Sequence, residues 1–206
     1  LGGVFFCRAA DFADHDNAFG GVSPVDVDLD SFSTARAVEF TGTGAYYAGA
    51  SVAGAGDLNG DGVDDLVIGA RSGLAGNNGS VYVVYGQSGG FGATAVSITS
   101  FNGGATGYRI DGESTGDQVG RAASRASDVN GDGVNDFLIG SGLVAASGGA
   151  YVIYGVNGTR ANLDLSGGVG GDGFKISGGS STWGRTLSGG GADFNGDGVP
   201  AFAISA

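Results

Sequence analysis

The chain is poor in the residues on which many catalytic and redox sites depend. Its 206 residues include one cysteine, one histidine and no methionine, and Lys175 is its single lysine. One cysteine excludes an internal disulfide, so Cys7 is interpreted as a small buried strand residue. His15 lies alone in a polar stretch between two aspartates and is a weak catalytic candidate. No run approaches the roughly 20 apolar residues of a membrane helix.

Basic residues are also scarce, and their scarcity limits the possible partners. The chain has 21 acidic against nine basic residues, a formal net charge of −12. Because phosphate binding requires a basic surface, nucleic acid is excluded as a partner. Glycine is abundant, with 46 residues, while the hydrophobic share of 41% is adequate for a packed core. Such a glycine content with few long helical patterns predicts an all-β fold.

One nine-residue sequence occurs three times. Residues 57–65 read DLNGDGVDD, residues 128–136 read DVNGDGVND, and residues 193–201 read DFNGDGVPA. Oxygen-bearing side chains stand at positions 1, 3 and 5, and in the first two copies also at position 9. This alternation is typical of a short loop that binds a hard cation such as Ca²⁺. Glycines at positions 4 and 6 permit the backbone angles of a tight loop, and the carbonyl at position 7 is a further candidate ligand.

These loops have two other interpretations. An EF-hand requires a glutamate at position 12, where this chain has Ile68, Ile139 and Ile204. The residues after each loop form short hydrophobic runs that predict strands, so each loop is expected to join two strands. A turn rich in Asp, Asn and Gly without metal is the remaining alternative. This metal-free alternative is strongest for the third copy, in which Ala201 replaces the last carboxylate.

The spacing of the loops predicts blades of a propeller. The three copies begin 71 and 65 residues apart, which is room for about four strands with their turns. We therefore predict a single domain over residues 1–206, in which residues 36–105 and 106–171 form complete repeat units. Residues 1–35 and 172–206 form partial units.

The order of motifs resembles the FG-GAP repeat of integrin α-subunit propellers and their bacterial relatives. A strand at residues 37–40, matched by Tyr-x-Ile at residues 108–110 and Phe-x-Ile at residues 174–176, precedes a small-residue strand at residues 48–55, 119–127 and 183–192. The metal loop, a hydrophobic strand and a Gly-x-x-Tyr-Val-x-Tyr-Gly pattern follow. The resemblance covers about residues 36–206. It implies a β-propeller of four-stranded antiparallel blades with Ca²⁺ in hairpin loops, secreted or on the cell surface and serving adhesion or recognition.

The resemblance also implies a set of calcium ligands. These are Asp57, Asn59, Asp61, Val63 and Asp65 in the first loop, Asp128, Asn130, Asp132, Val134 and Asp136 in the second, and Asp193, Asn195, Asp197 and Val199 in the third.

Three loops are fewer than half of the seven blades that the resemblance implies. The chain is therefore expected to be a fragment of a longer protein, with two copies that complete a ring as the alternative. The strands at residues 3–7 and 202–206 are expected to lack a sequential partner within the chain. They would then pair with strands outside it or with each other.

Two classes of function remain open. The first is a non-enzymatic, calcium-binding extracellular module for adhesion, recognition or scaffolding, with a protein or glycan ligand or a neighbouring subunit. The alternative is part of a secreted propeller enzyme, a polysaccharide hydrolase or lyase, or a carbohydrate-binding module. The first is favoured because no acid, base and nucleophile can be assembled from this sequence. The aromatic residues Tyr82, Tyr85, Tyr151, Tyr154 and Trp183 are interpreted as blade core rather than a sugar-binding face.

Overall fold

A computed structural model describes most of the chain. The residues described are 3–7, 37–42, 47–72, 78–92, 95–142, 148–179, 182–198 and 200–205. His15, most of the partial unit 1–35, and Val199 lie outside these residues.

The secondary structure consists of strands and three short 3₁₀ turns at Ile98–Ser100, Leu165–Gly167 and Gly170–Asp172. The strands are β1 Gly3–Cys7, β2 Ala37–Thr41, β3 Ala48–Gly56, β4 Asp65–Ala70, β5 Ser80–Val84, β6 Ala95–Ser97, β7 Gly107–Asp111, β8 Val119–Ser127, β9 Asp136–Ser141, β10 Gly149–Ile153, β11 Leu163–Asp164, β12 Gly173–Ser177, β13 Leu187–Ala192 and β14 Ala201–Ile204. No described residue forms a helix of the length and hydropathy needed to cross a membrane.

Two sheets are complete propeller blades. The first has the order β3-β4-β5-β7 and the second β8-β9-β10-β12, and all neighbours within them are antiparallel. The first three strands of each blade follow one another in sequence, because short loops join them. The predicted fold class, all-β with four-stranded antiparallel propeller blades, is confirmed.

Between the third and fourth strands of each blade, the chain adds one short strand to the preceding sheet. β6 pairs in parallel with β2, and β11 pairs in parallel with β7, in both cases at an outer edge. A buried side chain follows each short strand, Ile98 after β6 and Leu165 after β11. This short strand therefore ties each blade to its predecessor. As a result, the sheets begin one strand later than the predicted sequence units. The predicted unit 36–105 begins with β2, but β2 pairs with β1, and the first complete blade begins with β3.

The terminal strands differ from expectation in one respect. The prediction that residues 3–7 and 202–206 lack a sequential partner is wrong, because β1 pairs with β2 and β14 pairs with β13. In both complete blades the fourth strand pairs with the third strand. β2 pairs with β1 in the same way. The predicted strand at residues 183–192 also begins later, at Leu187, after turns and bends.

Adjacent blades approach closely along their inner strands. A Cβ atom placed on Gly69 in β4 would lie 1.9 Å from the Gly120 carbonyl oxygen of β8 and 2.3 Å from Ser51 Oγ. Ser51 Oγ donates a hydrogen bond of 2.9 Å to the same carbonyl. A Cβ atom placed on Gly140 in β9 would likewise lie 2.0 Å from the carbonyl oxygen of Gly184, which precedes β13. The small residues of these strands are thus required by contact between blades.

The main core lies between the two complete blades. Tyr82, Tyr85 and Tyr151 are at most 2% exposed, as the interpretation of these tyrosines as core residues predicts. The largest buried cluster takes Val67 and Val83 from the first blade and Phe137 and Ile153 from the second. This cluster joins the two blades, whereas Tyr82, on the other face of the first blade, belongs to a second cluster with Phe40 of β2.

Candidate metal sites

The three repeated loops occupy equivalent places in their sheets. The first joins β3 to β4, the second joins β8 to β9, and the third joins β13 to β14. All three therefore connect the first and second strands of a sheet, as the sequence predicts. This topology differs from that of an EF-hand, whose loop lies between helices.

The aspartate at position 1 organises each loop through backbone amides. Asp57 Oδ1 accepts hydrogen bonds from the amides of Gly60 at 2.6 Å and Asp61 at 3.1 Å, while Oδ2 accepts from Gly62 at 2.8 Å. Gly60 and Gly62 adopt φ values of 75° and 84°, which favour glycine. The same bonds recur in the second and third loops. The loop conformation is therefore encoded locally in all three copies.

The side chains at positions 3 and 5 contact each other. Asn59 Nδ2 donates to Asp61 Oδ2 at 2.9 Å, and Asn59 Oδ1 accepts from the Asp61 amide at 3.0 Å. Asp61 Oδ1 in turn accepts from the Val63 amide at 2.8 Å. An ionised carboxylate has about four lone-pair sites. The Asp61 carboxylate therefore keeps lone pairs that can coordinate a cation.

The aspartate at position 9 fastens the loop to the rest of the blade. Asp65 is 3% exposed and accepts from the amides of Leu58 and Gly86, each at 2.7 Å. Asp136 is fully buried and holds the equivalent amides of Val129 at 2.8 Å and Gly155 at 2.9 Å. The third loop lacks this fastening, because Ala201 occupies position 9 and opens β14.

Burial and like charges both act on the carboxylate at position 9. Burial raises the pKa of Asp65 to about 6, and the nearby charges of Asp61 and Asp57 add to the rise against the lowering effect of two amides. Burial also raises the pKa of Asp136. In the exposed third loop, hydrogen bonds led by the Gly198 amide lower the pKa of Asp193 instead.

The ion pairs of the described residues lie away from the first two loops. They join Arg109 to Asp111, Arg160 to Asp172 and Lys175 to Glu113. No group of three or more His, Cys, Asp or Glu side chains within the described ranges is arranged to hold a metal ion. The donors nevertheless fit a hard cation chemically, since carboxylate, amide and carbonyl oxygens alternate along one short loop in each copy.

Comparison with known proteins agrees with the topology. Residues 48–84, which contain β3, the first loop, β4 and β5, match the family model of the FG-GAP repeat. The chain carries an FG-GAP repeat. It is also 33% identical over 131 residues to phosphatidylinositol-glycan-specific phospholipase D of Rattus norvegicus. That match covers 62% of this chain and 14% of the relative, so the chain corresponds to a small part of the longer protein.

One contact of the FG-GAP loop was not foreseen from the sequence. The first loop docks on the second blade through the carbonyls of its positions 1 to 3. The Asp57 oxygen accepts from the Asn135 amide at 3.1 Å, and the Leu58 oxygen accepts from the Val156 amide at 3.0 Å. The Asn59 oxygen accepts from the Gly158 amide at 2.7 Å. A signal was present, since Tyr-Gly-x-x-Gly follows the third strand of both complete blades.

The fastening role of the aspartate at position 9 can be tested without metal. We expect Asp136→Ala to destabilise the chelator-treated protein by about 2–5 kcal/mol, because the amides of Val129 and Gly155 lose their acceptor. Asp132→Ala is the matched control, since Asp132 is exposed and its bonds stay within the loop. Urea unfolding in excess chelator measures both. Equal midpoints for the two variants would contradict the assigned role.

Proposed function

We propose that the chain is a calcium-binding, non-enzymatic β-propeller module that presents a recognition surface outside the cell. The observation that carries this proposal is the pair of first and second loops. Each places oxygen donors at positions 1, 3, 5 and 9 and is fastened to its blade by a buried aspartate. Two such loops on adjacent blades form a repeated structural element rather than an isolated acidic turn.

Calcium fits these loops better than the other common protein metals. Ca²⁺ takes about six to eight oxygen ligands and tolerates irregular geometry, which suits a short flexible loop. Zinc prefers nitrogen and sulfur ligands, which the loops lack. Asp57, Asn59, Asp61, Asp65 and the Val63 carbonyl are the proposed ligands of the first site. Their counterparts in the second loop are Asp128, Asn130, Asp132, Asp136 and the Val134 carbonyl. When bound, the ion would neutralise the clustered carboxylates.

The third loop is proposed as a weaker site. Asp193, Asn195 and Asp197 keep the donors of positions 1, 3 and 5, but position 9 is Ala201. Because the number of charged ligands tunes calcium affinity, the loss of one carboxylate lowers it. Water would complete the coordination there.

A recognition role is supported by the FG-GAP repeat, since such repeats generally mediate protein interactions. The resemblance to integrin α-subunit propellers further supports a secreted or cell-surface location. A protein or glycan ligand would bind at the connecting loops, since loops on a rigid scaffold are where binding residues concentrate.

A second candidate is the propeller part of a larger enzyme. It is favoured by the similarity to a phospholipase D, an enzyme by its name, of which this chain matches 14%. Outside the loops, the described residues Glu113, Lys175 and Tyr151 form one set of titratable side chains in direct contact. Lys175 and the Tyr151 hydroxyl both donate to Glu113, and these bonds lower its pKa. Burial raises the pKa of Tyr151. This set is internally paired, which supports the non-enzymatic proposal.

One screen separates the two candidates. The calcium-loaded chain is tested for binding and for cleavage against arrays of glycans and extracellular proteins, with a chelator-treated sample as control. The proposal expects retention of at least one ligand class without turnover, and loss of retention after chelation. Cleavage of a glycan by the isolated chain would overturn it in favour of the enzyme.

A further inference from the structure

Both complete blades carry an arginine at the end opposite their metal loops. Arg71 directly follows β4, and Arg121 lies near the start of β8. The metal loops join the other ends of the same strands, β3 to β4 and β8 to β9. We call Tyr47, Arg71, Gln118 and Arg121 the arginine rim.

The residue before the first strand has an unusual backbone conformation in both blades. Tyr47 and Gln118 directly precede β3 and β8, with φ values of 47° and 52°. Residues other than glycine rarely adopt this left-handed region, and such backbone strain concentrates at functional sites. The two carbonyls accept hydrogen bonds from the amides of Ala50 and Arg121, each at 3.2 Å. The same strained turn therefore positions Tyr47 in one blade and Gln118 in the next.

Each of these two residues holds the arginine of its own blade. The Arg71 guanidinium lies over the Tyr47 ring, 5.0 Å from the ring centroid. Arg121 Nη1 donates to Gln118 Oε1 at 3.3 Å. Both guanidinium groups are thereby positioned before a ligand arrives, which lowers the entropy cost of binding.

The two arginines reach equivalent places from different strands. Gly142 directly follows β9, as Arg71 directly follows β4. A Cβ atom on Gly142 would lie 2.0 Å from Arg121 Cδ, so the Arg121 side chain passes where a side chain at position 142 would project. Arg121 lies in the irregularity of β8 between Val119 and Ala122, and such bulges redirect side chains. Each blade thus places one guanidinium group at the rim.

The two halves of the rim adjoin across the contact between the blades. Gly69, two residues before Arg71, packs against the main chain of Gly120, the residue before Arg121. Each blade also has a neighbouring sheet on its other side, since β1 contacts β3 and β13 contacts β8. The rim is therefore formed by the two complete blades and does not depend on what adjoins the outer sheets.

Acidic groups do not neutralise the two arginines. The recorded ion pairs of the described residues involve neither Arg71 nor Arg121. Near the rim, Glu113 is bonded to Lys175 and to the Tyr151 hydroxyl. The segments of sequence that connect strands at this end, residues 43–46, 73–77, 143–147 and 180–181, contain no charged residue. Both guanidinium groups are therefore available to an anionic ligand.

The net charge of −12 is concentrated at the other end of the blades. The carboxylates of the first two loops follow strands of nine residues, which place them about 25–30 Å from the rim. That distance is about three Debye lengths at physiological salt, so these charges are largely screened at the rim. The acidity of the whole chain therefore does not prevent an anion from binding there.

We propose that the arginine rim binds carboxylates of an acidic segment of a partner protein. A guanidinium group forms paired, charge-assisted hydrogen bonds with a carboxylate. Tyrosine and arginine are also enriched among the residues that anchor protein interfaces, and Tyr47 is 61% exposed beside Arg71. Two guanidinium groups match a short acidic segment rather than a long polyanion. This inference rests on the proposed recognition function and names the chemistry of its ligand.

Fluorescence anisotropy of the calcium-loaded chain tests the proposal with a labelled peptide of alternating Glu and Gly. The control peptide carries Gln in place of Glu. We expect the Glu peptide to bind at least roughly tenfold more tightly, because hydrogen bonds to charged groups are the stronger ones. Arg71→Gln and Arg121→Gln should each weaken binding of the Glu peptide by at least roughly tenfold.

Thr159→Asp is the matched control for charge. It lowers the net charge by one unit, as each arginine variant does, but Thr159 is exposed and follows β10 at the end that carries the metal loops. This variant should bind the Glu peptide as tightly as the wild type. Thermal unfolding in calcium should give the arginine variants the melting temperature of the wild type, which excludes misfolding as the cause of lost binding.

The possible outcomes separate the rim from the proposed function. Equal affinity for the Glu and Gln peptides, no binding of either, or an equal loss in Thr159→Asp would overturn the proposal. Binding of labelled polygalacturonate but not of the Glu peptide would replace the protein partner by an acidic glycan. If the array screen retains a ligand equally on the wild type and both arginine variants, the rim is wrong while the recognition function stands.

Discussion

Removal of calcium is expected to lower the melting temperature of the chain by at least about 10 °C. A ligand that binds only the folded state at a hundredfold excess over its dissociation constant adds about 2.7 kcal/mol per site. Two sites then add about 5 kcal/mol, and each kcal/mol shifts the melting temperature of a chain of this size by about 2–4 °C. Differential scanning calorimetry in calcium and in excess chelator measures the shift.

The matched control is a variant that keeps the loops but weakens both sites. In Asp57→Asn with Asp128→Asn, the amide oxygen at position 1 can still accept the hydrogen bonds made to Oδ1, but the charge and the acceptor for the amide at position 6 are lost. Its melting temperature should respond much less to chelator than that of the wild type, and restored calcium should recover only the wild type. An identical wild-type melt with and without chelator would show that these loops do not hold a stabilising ion.

The second large effect concerns the contact between blades. Gly69→Ala is expected to destabilise the fold by about 3 kcal/mol, because overpacking a tight contact forces the backbone to move. The added Cβ would meet the Gly120 oxygen at 1.9 Å, and main-chain atoms cannot turn aside as a side chain can. For a chain of this size the melting temperature falls by about 6–12 °C.

Gly54→Ala is the control for this substitution. Gly54 lies in the neighbouring strand β3, and a Cβ atom there would meet nothing within 4 Å. Since glycine in a strand costs about 0.5–1 kcal/mol relative to alanine, this variant should be neutral or slightly stabilised. The melting temperatures of the two variants are compared, and Gly69→Ala is expected to melt at the lower temperature. Equal effects would contradict close packing of the inner strands.

The sequence predicted the local features of the blades well. Each metal loop is built by bonds within a few residues of its position-1 aspartate, so its sequence defines its topology. The small residues of β3 and β8 indicated crowded inner strands, and the contact of Gly69 with Gly120 accounts for that composition. These predictions succeeded because their causes lie in short stretches of chain.

The non-local features could not be predicted in the same way. β6 and β11 are only three and two residues long, too short for a periodic pattern, yet they tie each blade to its predecessor. The docking of Leu58 on the second blade depends on backbone amides that any residue except proline supplies. The predicted ligand set of the calcium sites stays a prediction, because side-chain positions around an ion depend on the ion itself.

Isothermal titration of calcium into the metal-free chain tests the central claim most directly. The account predicts saturable binding at two sites of similar affinity and a third, weaker one, since Ala201 removes a carboxylate from the third loop. Asp57→Asn should weaken one of the two tighter sites and leave the other. The absence of binding, or an isotherm that the paired substitutions Asp57→Asn and Asp128→Asn leave unchanged, would contradict calcium binding by these loops.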